Sequence, residues 1–194
     1  MSGIMNLQYD NFTAQDIDIV RWQLDSGTVP VCSVAERCGF GFPRIIILSP
    51  RPQEGRKDDY NYEALSNVIW LTCPYLNDRI HEFEDRGFIG RVASFMNSLP
   101  AVRGHMEAAH SHFYYFRKRF YRDFFGDIYP EDLIGVFNSG VGGVRDGSSL
   151  KCLHANFAHY RLDDTNVAGY IMQKLLHDKI DCDNRACDDA HKGR

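Results

Sequence analysis

Nine consecutive residues, Lys151-Cys152-Leu153-His154-Ala155-Asn156-Phe157-Ala158-His159, hold a thiol, two imidazoles, an amide and an ammonium. A thiolate can ligate a metal or attack an electrophile, and an imidazole can ligate or carry a proton near neutral pH. As a helix, the stretch puts Cys152, Asn156 and His159 at i, i+4 and i+7, on one face. Leu153, Phe157 and Tyr160 line a neighbouring face that can be buried. His154 points about a third of the way round the helix, so His154 and His159 are not expected on one ion. His154 and Lys151 are the candidate catalytic groups.

Three of the six cysteines stand at element ends. Cys38 lies in a Cys-Gly turn, Cys73 ends a strand and opens a helix, and Cys152 lies near another helix start. Amides at a helix start favour the thiolate, which is the ligating form. Cys38, Cys73 and Cys152 therefore predict one shared site for zinc or an iron–sulfur cluster. Cys182 is the expected fourth ligand, with Cys187 or His159 as alternatives. No Cys-x-x-Cys pair supports the reading. Against it stands the common fate of cysteine as a small buried hydrophobe, which is the reading for Cys32.

The run Asn138-Ser139-Gly140-Val141-Gly142-Gly143 precedes the stretch. Gly142, Gly143, Arg145 and Asn156, with Lys151, could cradle a small anionic ligand, since glycine backbones can aim N–H groups inward. No Gly-Lys-Ser/Thr follows, so this is not a nucleotide P-loop; a flexible connector is the plainer reading. Glu107 and His110 make one Glu-x-x-His pair where a di-iron bundle needs two. Phe113, Phe116, Phe120 and Phe124 form an aromatic stripe ringed by Arg117, Lys118, Arg119 and Arg122. Such a stripe can stack bases, but core with a solvated basic face is the leading reading, and nucleic acid is not the expected partner.

These residues need a scaffold. A chain of 194 residues, 44% hydrophobic and 13% aromatic, describes one globular domain. A net charge of -4 argues against a general nucleic-acid binder. No apolar run approaches the roughly 18 residues of a membrane span. The first ten residues lack a secretory pattern. The expected location is cytoplasmic, where thiols stay reduced.

The expected fold class is α+β: a small, mostly antiparallel sheet of about three strands in the N-terminal half, then a helical C-terminal half covering one side. Residues 1–12 read as a loose lead, 13–178 as the domain and 179–194 as a polar tail. Thr13 and Asp16 mark a first helix that Gly27 would end. Strands follow over 28–34, 44–48 and 67–72, with a charged loop over 49–62. Pro74 opens a helix, Phe88 to Leu99 forms another, and the aromatic stripe lies on a long one over 102–124. The Lys151 helix takes Asp146 or Ser148 as its cap, and Asn166 caps a last helix.

Arg37-Cys38-Gly39, the strand ending Leu71-Thr72-Cys73-Pro74, Gly142-Gly143, Lys151-Cys152-Leu153-His154, Ala158-His159 and Asn166-Val167 together resemble the bacterial family catalogued as domain of unknown function 501. The resemblance covers about 29–176. It implies no activity, but Cys38, Cys73 and Cys152 are the cysteines that match its motifs. The loop over 49–62 and the basic-aromatic helix depart from the family pattern.

Overall fold

The computed structural model describes residues 8–9, 11–52 and 59–191. Most of the expected lead, the middle of the charged loop and the last three residues lie outside these.

Helix α1, Ala14–Gln23, begins at a reciprocal cap. The Asp16 amide donates to Thr13 Oγ1 at 3.1 Å and the Asp16 carboxylate accepts the Thr13 amide at 2.8 Å. Leu24, not Gly27, closes the helix. Three antiparallel strands follow in the order β1 (Val31–Arg37), β2 (Pro43–Leu48) and β3 (Ile69–Leu71). All of β2 is buried. Its side chains alternate between two cores: Ile45 and Ile47 join the main one, while Ile46 and Leu48 join a smaller one with Val20, Val31, Val34 and Ala64. Both faces of the sheet are covered, rather than the one expected, which is why β2 reads as an unbroken apolar run.

The short helix α2, Tyr62–Ser66, precedes β3. The rest is helical: α3 (Pro74–Asp85), α4 (Phe88–Ser98), α5 (Pro100–Phe125), α6 (Ile134–Phe137), α7 (Leu153–Tyr160) and α8 (Val167–Leu175). Pro74 and Pro100 open their helices, where a missing N–H costs nothing. The stripe of α5 is core, with Met106, Ala109, Phe113, Phe116 and Phe120 all buried; each Met or Phe side chain among them contributes roughly 1.5–3 kcal/mol when fully buried.

Arg117 departs from the expected solvated basic face. It is fully buried, lies 4.3 Å over the Phe113 ring, and donates to the carbonyls of Ser66, Phe137 and Ser139. It sits at the helical spacing of Phe113 and Phe120, so the stripe carries it inward.

The segment after α8 is also packed. Its 3₁₀ turn, Ala186–His191, lies against α1, and Asp181 reaches Arg44 and the Gly39 amide.

Candidate functional site

Helix α7 starts at Leu153, so Cys152 is its N-cap rather than a member of its first turn. The thiol accepts the Ala155 amide at 3.4 Å. Asp146, an expected cap, instead holds the Ser148 amide and hydroxyl in its own turn. Glu84, from the last turn of α3, meets this helix start and accepts the Leu153 amide at 2.6 Å. A carboxylate there satisfies an unpaired N–H and suits the positive helix end.

His154 completes the group. Its Nε2–H donates to the Asn77 carbonyl at 3.0 Å, which aims Nδ1 at Glu84 Oε1, 3.3 Å away. Ligand atoms of Glu84, Cys152 and His154 all lie within 4.8 Å of one another, and among the described residues this is the one group of three that does so. A bare Nδ1 lone pair facing a carboxylate is repulsive. The geometry calls for a positive species there, a proton or a metal ion. Burial pushes the His154 pKa down, but the Cys152 sulfur, the Asn77 carbonyl and Glu84 outweigh it and raise it to about 9.

The expected Cys152/Asn156/His159 face divides in two. Asn156 and His159 are fully buried. Asn156 Nδ2 donates to the Cys152 carbonyl at 2.8 Å, and Asn166 Nδ2 donates to Asn156 Oδ1 at 3.1 Å and to His159 Nδ1 at 3.3 Å. His159 packs edge-on against Phe113. Burial holds its pKa far below the usual histidine range, although Asp163 pulls the other way. His159 therefore faces a polar seam inside the fold, and His154 faces the Glu84 group on another side of the helix.

The glycine turn packs against this helix start. A side chain on Gly142 would lie 3.8 Å from Cys152 Cβ, and both Gly142 and Gly143 are left-handed, at φ 73 and 72. Lys151 Nζ donates to the Gly143 carbonyl at 3.0 Å, while Arg145 is exposed. Lys151 and Gly143 thus engage each other, and no anion contact is needed to explain the turn.

The remaining expected ligands gather elsewhere. Cys73 caps the start of α3, whereas Cys152 meets Glu84 in that helix's last turn; a helix of 12 residues is about 18 Å long. Cys73 is buried beside Arg44, in the electrostatic range of Cys182 and Cys187, and Cys187 in turn lies in the range of Cys38. Cys32 is buried in the main core.

A family model described as protein of unknown function (DUF501) matches residues 34–174. The chain belongs to that family. No curated protein and no solved structure matches it. The match takes in Cys38, Cys73, Cys152 and His154, and stops before Cys182 and Cys187.

Glu84 is the site residue that motif reading missed. It lies four residues after Ile80 and eight after Leu76, on the buried stripe of α3. A carboxylate on an apolar stripe needs a partner inside the fold, and that was the available signal.

Proposed function

We propose that the chain is a metal-binding protein in which Glu84, Cys152 and His154 hold one divalent ion through a carboxylate oxygen, a thiolate and Nδ1. The carrying observation is the His154 ring: its Nε2–H is fixed on a backbone carbonyl, and its Nδ1 points at a carboxylate 3.3 Å away. Ligating histidines are commonly oriented by such a carbonyl. Mixed sulfur, nitrogen and oxygen donors suit zinc. One thiolate does not suit an iron–sulfur cluster, which needs three or four. Three protein ligands leave a fourth position open, as in catalytic zinc sites, where the ion activates water or polarises a carbonyl. His154 is then a ligand, and Lys151, whose Nζ donates to the Gly143 carbonyl, is the catalytic candidate that remains.

Elemental analysis of protein purified without chelator tests this. Wild type should carry zinc that Glu84→Gln and His154→Ala each release, and Cys152 should resist alkylation until the ion is removed. Unchanged zinc content in both variants would overturn the reading.

A second reading rests on an exposed cleft of α5. Tyr114, Tyr115, Lys118, Arg119, Arg122 and Tyr129 line it, with Lys118 Nζ 4.6 Å from the Tyr129 ring. Basic groups interleaved with aromatic rings suit a single-stranded nucleic acid. Salt-dependent RNA binding that Lys118→Glu with Arg122→Glu abolishes would support it; equal binding by that variant would end it.

A further inference from the structure

Four of the six cysteines arrive at one end of the sheet, each for its own local reason. Cys38 opens the β1–β2 turn, where its amide donates to the Phe42 carbonyl and its carbonyl accepts the Gly41 amide, both at 2.9 Å. Gly41 makes the turn possible at φ 86. Cys73 follows Thr72, whose amide donates to the Arg44 carbonyl at 2.9 Å, so Cys73 lies beside the start of β2. Cys182 follows Asp181, whose carboxylate accepts the Gly39 amide at 2.9 Å and pairs with Arg44. Cys187 is buried and accepts from Gln23 Nε2 at 3.2 Å, and the same Nε2 reaches the Pro43 carbonyl at 2.8 Å. Pro43 stands opposite Arg37 in the strand register. The hydrogen bonds thus bring the backbone at Cys38, Cys73 and Cys182, and the thiol of Cys187, to the hairpin end between Arg37 and Arg44.

We infer that Cys38, Cys73, Cys182 and Cys187 are the ligands of a structural zinc ion, distinct from the Glu84 group, that clamps the C-terminal segment onto the sheet. Four sulfurs close a tetrahedral shell with no open position, which is the mark of a structural site. Cys182 and Cys187 are separated by four residues, within the spacing of paired zinc cysteines. Between them Arg185 is left-handed at φ 50, a conformation that side chains other than glycine seldom adopt. Cys38 in a glycine turn and Cys73 at a helix start supply the two lone ligands.

Binding takes one proton from each of four thiols, leaving a zinc tetrathiolate of net charge minus two. Arg44, buried beside Cys73, and Arg37, beside Cys38, are cations at this end of the sheet, where Arg44 also pairs with Glu36 and Asp181 and Arg37 with Asp16.

No three of these four sulfurs lie within 4.8 Å of one another, unlike the ligand atoms of the Glu84 group. Zn–S bonds of about 2.3 Å would bring them to about 3.8 Å from one another, so the ion draws the turn between Cys182 and Cys187 inward. The segment is already held by Asp181 on Arg44 and the Gly39 amide and by the buried Cys187, and the ion would add a direct cross-link from it to the hairpin.

The full-length protein tests this. Wild type should bind zinc at two independent sites. Cys182→Ser with Cys187→Ser should lose one of them, keep the one that Glu84→Gln removes, and become about tenfold more sensitive to trypsin at Lys179 and Arg185, because opening of the segment is no longer opposed by the ion. Cobalt replacing the zinc should show the visible bands of a tetrathiolate in wild type and in Glu84→Gln, but not in the double variant. If the double variant proves poorly folded, chelator treatment of wild type should expose the same two cleavage sites. Unchanged zinc content and unchanged cleavage in the double variant would overturn the inference, as would a sulfide-to-iron absorption that these cysteines support. Loss of zinc from the Glu84 variants alone bears on the other site.

Discussion

At the scale of single residues, the fold sets charged groups where solvent cannot answer for them. Arg117 is the extreme case: a guanidinium that pairs with no carboxylate among the described residues, held by carbonyls and the face of Phe113. Replacing it with alanine leaves the Phe137 and Ser139 carbonyls unpaired and opens a void under α5. The expected cost is about 3 kcal/mol, seen in urea unfolding as a lower midpoint at unchanged slope. Glu84→Gln differs in kind. The amide oxygen can still accept the Leu153 amide, so with both proteins stripped of metal unfolding should shift by less than about 1 kcal/mol, while the variant no longer takes up zinc. A large loss of stability in Glu84→Gln would mark the group as a structural ion pair.

At the scale of elements, α7 and α8 fix the site by packing without a gap. A side chain on Gly169 would come within 2.2 Å of Tyr160 Cβ and 2.3 Å of the Asn156 carbonyl oxygen. Gly169→Ala must therefore push the helices apart. We expect a loss of about 1–3 kcal/mol, read as a fall in melting temperature of about 2–4 °C for each kcal/mol. Gly104 in α5 has nothing within 4 Å of the same position and is exposed. Gly104→Ala should raise stability by about 0.5–1 kcal/mol, and the pair of variants separates packing from helix propensity.

At the scale of the whole molecule, α5 is the axle, and titratable groups from several elements meet along it. His159 faces His110, His112 and Arg117 from α5, and Asp163 from the turn after α7. Burial holds both His159 and His110 below the usual histidine pKa. Both are neutral in the fold and protonate in the unfolded chain. Their contribution is complete above the unfolded value of about 6.5 and is lost as pH falls below it. Asp163 is depressed by its hydrogen bonds to Thr165 and His112 and by His159, against the opposing effect of burial. Its contribution fades only at lower pH, through the carboxylate range. For His159 alone the loss between pH 7.5 and pH 5.5 is about 1.4 kcal/mol. Thermal unfolding at those two pH values should show the drop in wild type and a smaller one in His159→Gln. An equal drop in both would place the acid lability elsewhere.

Local chemistry was legible in the order of residues. The Thr13 and Asp16 cap, the Pro74-led helix, the apolar run of β2 and the aromatic stripe of α5 each depend on neighbours a few positions away, and each stands where the sequence predicted it, whereas Pro100 opens its helix two residues before the expected start. The candidate site was legible in part: Cys152 and His154 stand out as residue types at a helix start. Their partner Glu84 does not, because it joins them through the packing of α3 against α7, which no spacing encodes. The same reason decided that Arg117 goes inside. It also decided which thiols share an end of the sheet, since only the return of the C-terminal segment brings Cys187 to the end where Cys73 lies, and only the length of α3 holds Cys152 away. Sequence by itself determined the elements and the chemical groups on offer; tertiary packing chose which of those groups meet, because burial and long-range hydrogen bonds exist only once the elements have docked.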